Sequence, residues 1–358
     1  MNGQPQTRDM SFAEAIRDAT AVCLQRDSRV FVIGLGVPDP KGIFGTTTGL
    51  AAEFGADRVL DAPLSENALT GLVIGAALGG MRPILTHQRV DFALLSLEQI
   101  VNQAAKWFYM FDGRGGTVPI VIRMIIGRGW GQGPQHAQSL SSCFAQIPGL
   151  KVVAPATPAD AKGLFIASVE DENPVIFLEH RWLHGMRGPV PTGYHHTPLG
   201  KCRVARTGGD VTVVASAHSL IEAMRAADFA STHAGIEFEV VDVRCLNPLD
   251  FETIAASVRK TKRLVVVDDN SRHCGFAGEV VARVCEAGLP LIAPPVRVTW
   301  PDCPSPSSAA LAEVFYPSDR DVFVAAGKLV GRGVEHAAHF PKRPCPVDVP
   351  NLDFPGPF

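Results

Sequence analysis

Short, continuously apolar runs alternate with segments of helical length along most of the chain. Val30–Ile33, Pro83–Leu85, Val118–Ile122, Val152–Val153 and Val175–Leu178 have the length and β-branched content of strands buried on both faces. Between them, Ser11-Phe12-Ala13-Glu14 is a capping-box pattern that opens a helix to about Leu24. Glu66 heads a second helix to about Leu78, Leu97 to Met110 has helical periodicity, and a further helix spans about Ala159 to Val169. Buried strands separated by helices predict a parallel sheet covered on both faces.

The pattern breaks at His184–Arg206, which is rich in Gly, Pro and His, and then resumes. Val211–Val214, Phe238–Val241 and Leu264–Val267 read as strands, with helices near Ser219–Ser231, Phe251–Thr261 and Gly278–Ala287. The predicted fold class is α/β, with two domains of mainly parallel sheets flanked by helices. The domains span 1–190 and 207–330, joined by a linker at 191–206. A Pro-rich tail at 331–358 reads as a segment that wraps another surface.

Composition narrows the function. With 46% hydrophobic and 19% charged residues, the chain has the profile of a globular enzyme, and a net charge of -3 offers no basic field for nucleic acid. The longest apolar stretch, around Leu69–Leu78, is interrupted by Gly71 and Gly75 and is too short to span a bilayer, so no membrane role is expected. Met1–Asp9 is polar and not a secretory signal. Eight scattered cysteines without a C-x-x-C pair suggest neither a zinc site nor a disulfide framework, and fit a cytoplasmic protein.

In parallel sheets, ligands bind beyond the carboxyl ends of strands. Three stretches there carry candidate chemistry. In Asp61-Ala62-Pro63-Leu64-Ser65-Glu66, a carboxylate opens an almost wholly apolar helix. By itself Glu66 reads more readily as a complement to the helix dipole than as a catalytic acid, although a buried junction leaves its acidity open to tuning. In Gly127–Gln138, closely spaced glycines precede His136; the loop is neither a phosphate loop nor a dinucleotide fingerprint. The third stretch, His87-Gln88-Arg89-Val90-Asp91-Phe92, follows a strand directly.

Together these stretches resemble the beta subunit of the 2-oxo acid dehydrogenase decarboxylating component, of the pyruvate and branched-chain type. The resemblance runs from about Met10 to Val330. It also rests on Gln99–Lys106, Pro134-Gln135-His136-Ala137-Gln138-Ser139, Pro148–Pro155 and Asn173–Glu179. It implies a pyrimidine-binding domain followed by a transketolase-type C-terminal domain. It also implies decarboxylation of a 2-oxo acid with acyl transfer to lipoamide. Glu66 would bond a pyrimidine nitrogen of thiamine diphosphate and so activate the cofactor, with Leu64, Gln88 and Phe92 lining the ring site. His136 falls on the family histidine near the substrate. Ile120, Ser168, Asp171 and Asn173 match a structural potassium site.

The Gly-Asp-Gly…Asn-Asn motif that holds Mg2+ and diphosphate in thiamine enzymes is absent from the sequence. The resemblance therefore assigns those ligands to a partner alpha subunit in an alpha2-beta2 heterotetramer, which in turn docks to a lipoyl acyltransferase core. Two segments depart from the family. Gly34-Leu35-Gly36-Val37 lacks the usual acidic pair, and Thr86-His87-Gln88-Arg89 replaces a strand end that usually reads Glu-Phe. These departures suit a rival reading, a split transketolase-like or carboligating enzyme acting on a sugar or specialised metabolite.

Overall fold

A computed structural model describes residues 6–349, which fall into two compact units. The first unit runs to Ile126 and resumes over Cys143–Leu199; the second takes Gly127–Ser142 and the chain from Gly200 onward. Residues 1–5 and the end of the expected tail, 350–358, lie outside the described residues.

The first unit begins with β1 (Thr7–Ser11), α1 (Phe12–Arg26), β2 (Val30–Ile33), α2 (Leu50–Phe54) and β3 (Val59–Leu60). It continues through α3 (Glu66–Leu78), β4 (Arg82–His87), α4 (Val90–Ala93), α5 (Trp107–Met110) and β5 (Val121–Ile126). After a short α6 (Ser141–Ala145) come β6 (Lys151–Val153), α7 (Pro158–Glu170), β7 (Val175–His180) and β8 (Arg187–Pro191). Six of these strands lie side by side in the order β6-β7-β5-β4-β2-β3, and every pairing is parallel. The capping box of α1 is formed: Glu14 N–H donates to Ser11 Oγ at 3.1 Å, and Ser11 N–H donates to Glu14 Oε2 at 2.6 Å. The helix packs against α7, and its Ala15, which is fully buried, clusters with Met10 and Val190.

Charge is also built into this core. Arg123 on β5 and Glu179 on β7 are fully buried and bonded at 2.5 and 2.9 Å, and Arg123 also donates to Thr46 Oγ1 at 2.7 Å. His184 Nε2 lies 3.3 Å from Glu179 Oε2. Burial pushes the Glu179 carboxyl up, but Arg123 and His184 outweigh it and hold the group down at about 2.

Several elements differ from the sequence expectation for local reasons. The strand predicted at Val118–Ile122 begins only at Val121, because Pro119 has no N–H to give a ladder. Over Leu97–Met110 a π-helical turn, Gln99–Ala104, precedes α5 instead of one regular helix. There Lys106 Nζ donates to the Pro148 carbonyl at 2.7 Å, and Gly149 lies so close that a Cβ on it would sit 1.9 Å from the Ala105 carbonyl. The apolar α3 buries only Thr70, Val73, Ile74 and Ala77, and leaves Leu72 57% exposed. Within 184–206, Arg187–Pro191 pairs antiparallel with β1, and β9 (Arg203–Arg206) joins the second sheet.

The second unit continues with β10 (Val211–Ala215), α8 (Ala217–Ala234), β11 (Phe238–Asp242), β12 (Cys245–Asn247), α9 (Phe251–Thr261) and β13 (Leu264–Ser271). It is completed by α10 (Phe276–Glu286), β14 (Val296–Trp300), α11 (Ala309–Phe315) and α12 (Asp319–Val330). Its sheet runs β14-β13-β10-β11-β9, parallel except for the edge strand β9. Up to residue 349 the tail packs on this unit itself. Phe340 stacks on Phe229 at 4.3 Å, and Val347 joins a buried cluster with Trp300, Phe315 and Tyr316. All eight cysteines are free, and no helix among the described residues is long and apolar enough to cross a membrane.

Candidate active site

The strand order of the first unit reverses between β2 and β4. From β2 the chain moves outward to β3, whereas β4 leads to β5 on the other side. The loops leaving β2 and β4 therefore diverge and open a crevice, the place where such sheets bind ligands. A pocket of about 330 Å³ lies there. Gly34 and Leu35 after β2, Pro63 and Leu64 before α3, Glu66 and Leu69 on α3, Leu85–Gln88 at the end of β4, and Phe92 on α4 line it.

Local chemistry shapes each wall. A Cβ on Gly34 would meet the Thr86 carbonyl at 2.5 Å, so only glycine lets the loop after β2 lie against β4. Asp61 Oδ1 accepts from the N–H of Gly36 at 2.9 Å and of Ala62 at 2.8 Å, which ties that loop to the segment entering α3. Gln88 Nε2 donates to the Leu35 carbonyl at 3.1 Å and closes the same side. Leu64 is 75% and Phe92 38% exposed, so both stand at the rim. Glu66 occupies the first turn of α3, where the helix dipole favours a carboxylate. Its carboxylate has no hydrogen-bond or ion-pair partner among the described residues and faces the pocket.

The floor is polar in two places. Thr86 and His87 are 3% and 5% exposed, and Thr86 Oγ1 and His87 Nε2 have no hydrogen-bond partner among the described residues. Burial pushes the His87 imidazole down to about 4, so it is neutral near pH 7. Arg89 is buried but does not line the pocket; burial pushes its guanidinium below the usual range while Asp91 opposes the shift.

The structure thus gathers Leu64, Glu66, Gln88 and Phe92 into one pocket. His136 lies in the other unit, on the 127–142 loop. That loop is held by its own unit: Trp130 N–H donates to the Asp348 carbonyl at 2.9 Å, and Gly131 N–H to Asp348 Oδ2 at 3.0 Å. Gly131 and Gly133 have φ of 63° and 71°, and a Cβ on either would collide with Ser307. Pro134 and Gln135 are exposed and His136 is half-buried.

The positions matched to potassium lie on β5's approach and at the end of α7. The Ile120 carbonyl accepts from Val175 N–H at 2.9 Å, and the Ser168 hydroxyl donates to the Leu164 carbonyl at 2.7 Å. Asp171 Oδ1 accepts from Asn173 N–H and Nδ2, Lys151 pairs with Asp171 Oδ2, and Arg82 Nη1 donates to the carbonyls of Val169 and Asp171 at 3.0 Å. In the sequence, Gly34, Thr86 and His87 stood only in segments that depart from the family, His87 also in a candidate stretch, and none had a role assigned at the ring site. The strand order that brings them to this pocket is not given by sequence periodicity.

Residues 8–185 match the family model for the transketolase pyrimidine-binding domain, and residues 200–322 that for the transketolase C-terminal domain. The acetoin:2,6-dichlorophenolindophenol oxidoreductase subunit beta of Cupriavidus necator is 41% identical over 343 residues, covering 91% of this chain and 99% of that protein. The pyruvate dehydrogenase E1 component subunit beta of Bacillus subtilis is 41% identical over 323 residues, covering 90% of this chain and 98% of that one. A solved structure described as a split gene transketolase, inactive beta4 tetramer, superposes with a TM-score of 0.74 at 23% identity, over 90% of this chain and 98% of its own; this likeness bears on the fold.

Proposed function

Because this chain belongs to the beta subunits of the thiamine-diphosphate-dependent 2-oxo acid dehydrogenases, we propose that its β2–β4 pocket holds the pyrimidine ring of that cofactor with Glu66 at a ring nitrogen. The unpartnered Glu66 carboxylate at the switch-point pocket carries this reading. The wall chemistry fits such a ring. Phe92 offers an aromatic face, Leu35, Leu64, Leu69 and Leu85 offer apolar contact, and Glu66 offers one strong acceptor. The bound cofactor supplies the carbanion chemistry of decarboxylation. Glu66 holds or yields a proton at the ring nitrogen it bonds, and the apolar rim keeps water from that exchange.

No Lys or Arg is among the residues lining the pocket, so it suits the ring half of the cofactor and not the diphosphate. We place the diphosphate and Mg2+ on an alpha subunit, in an alpha2-beta2 assembly, with His136 acting on substrate and lipoamide on an acyltransferase core as acceptor. A potassium ion at Ile120, Ser168, Asp171 and Asn173 is the structural part of the same proposal. A carbonyl has two lone pairs, so the bond from Arg82 does not exclude a cation at Asp171. If the ion binds, thermal stability is higher in potassium than in choline chloride.

The test is the reconstituted assembly with 2,6-dichlorophenolindophenol as electron acceptor. Pyruvate, 2-oxoisovalerate and acetoin are compared, since relatives at similar identity carry the names of acetoin and pyruvate enzymes. Glu66→Gln lowers kcat by roughly a hundredfold or more, the scale of an essential proton-transfer group. A variant within a few-fold of the parent ends this assignment.

A further inference from the structure

The loop between Gly127 and Gln138 forms no helix or strand, and its course runs through backbone conformations that glycine adopts most freely. Gly127, Gly129, Gly131 and Gly133 have φ of 100°, 145°, 63° and 71°. Trp130 among them has φ 54°, a left-handed conformation that a bulky residue keeps only where its surroundings impose it. Ordering such a segment costs much conformational entropy, so contacts from outside it must fix its course. At its base, Gly127 N–H donates to the Gln138 carbonyl at 3.1 Å. At its tip, the Asp348 carbonyl accepts from Trp130 N–H at 2.9 Å and Asp348 Oδ2 accepts from Gly131 N–H at 3.0 Å. Asp348 can anchor the loop because it is itself held. It is 6% exposed, and its neighbour Val347 packs with Trp300, Phe315 and Tyr316 and donates its N–H to Glu313 Oε1 at 3.0 Å. Val349 N–H closes a turn onto the Pro346 carbonyl at 3.0 Å.

We propose that Asp348 is a positioning residue for the reaction: through Trp130 and Gly131 it fixes the course of the loop and so sets where His136 meets the substrate. The inference rests on the role given to His136 above. The path from anchor to histidine is short. A Cβ on Gly131 would lie 2.7 Å from the Ser307 carbonyl oxygen, and one on Gly133 would lie 2.4 Å from Ser307 Oγ, so this stretch is seated closely once Asp348 holds it. His136 N–H then donates to the Gly133 carbonyl at 3.3 Å. A carboxylate suits the task because a charged acceptor makes a shorter and stronger bond to an amide than a neutral one. Without that acceptor the loop divides its time among several courses, and the rate falls with the fraction of molecules that have His136 in place.

The experiment uses the assembled complex with thiamine diphosphate, Mg2+ and 2,6-dichlorophenolindophenol, and compares Asp348→Ala, Asp348→Asn, His136→Ala and the double variant of the first and third. Asp348→Ala is expected to lower kcat roughly tenfold, the order of one hydrogen bond to a charged group. Cofactor affinity by calorimetry stays within about twofold, because the residues lining the ring pocket belong to the other unit. Asp348→Asn keeps a side-chain oxygen acceptor and is expected to recover kcat to within about threefold of the parent. Because Asp348 acts through His136, adding Asp348→Ala to His136→Ala is expected to change kcat by less than about twofold. A purely structural role would lower the rate by the same factor in both backgrounds. Parent-like kcat in Asp348→Ala overturns the inference, as does a loss that recurs in full beside His136→Ala or that Asp348→Asn leaves uncorrected. If Asp348→Ala does not assemble, Asp348→Glu decides, since it keeps the charge and shifts the acceptor by one methylene. A kcat loss that vanishes beside His136→Ala then supports the inference, and any other result overturns it. His136→Ala within a few-fold of the parent sinks the role of His136 and this inference with it, whereas a large loss there with parent-like Asp348→Ala sinks this inference alone.

Discussion

At the scale of single residues, the chain's buried and pocket-lining polar groups differ in whether the fold itself gives them a partner. Glu66 and His87 share a pocket, and each lacks a partner within the described chain. Glu179 is as polar as either, but it is bonded on every side by Arg123 and His184. Removing its charge therefore tests the fold. Glu179→Gln leaves Arg123 buried without its counter-ion and costs about 3–5 kcal/mol, read as a large fall in Tm. The pH dependence has a definite sign. The folded Glu179 carboxyl lies below its unfolded value, so its stabilisation is full above about pH 4.5 and disappears as pH falls toward about 2. His87 is also depressed in the fold, to about 4, so its burial costs stability as pH falls from its unfolded value of 6.5. The difference in stability between the parent and His87→Leu should grow over that window; urea titrations at pH 7, 5.5 and 4.5 measure it.

At the scale of elements, legibility in the sequence followed the source of each element's stability. The helix at Glu66–Leu78 was legible because it is an apolar run of helical length that stops at Gly79, and the one at Phe251–Thr261 because its Asp250 cap and apolar spacing define it. The capping box at Ser11 was legible for the same reason. The π-helical turn at Gln99–Ala104 was not, since it depends on the distant Pro148-Gly149 segment. Gly149→Ala should show the dependence directly. Its φ of 98° and the 1.9 Å approach to Ala105 force the two segments apart. A loss of about 2–4 kcal/mol is expected in chemical denaturation. Glu66, Leu64, Gln88 and Phe92 were reachable from order and spacing of motifs, and Thr86 and His87 stood out as a departure from the family; that all of them line one pocket follows from the strand order β6-β7-β5-β4-β2-β3.

At the scale of the whole molecule, the first unit carries apolar surface that it does not cover itself. Leu72 on α3 is 57% exposed, and Phe108, Tyr109 and Met110 on α5 are 53%, 88% and 53% exposed. Patches of this kind mark subunit contacts. Leu72→Glu should weaken assembly while leaving the unfolding free energy of the isolated chain within about 0.5 kcal/mol of the parent, as surface changes do. Analytical ultracentrifugation with the alpha subunit reads the first effect, and an assembly constant equal to the parent's removes α3 from the interface.

The Gly-rich loop that carries His136 has one more property, set by where its fastenings come from. Trp130 and Gly131 are secured by Asp348, more than two hundred residues later in the chain. Protein synthesis runs in the order of the sequence, so these two bonds form only after residue 348 has been made. A chain stalled before residue 348 would lack both of these bonds.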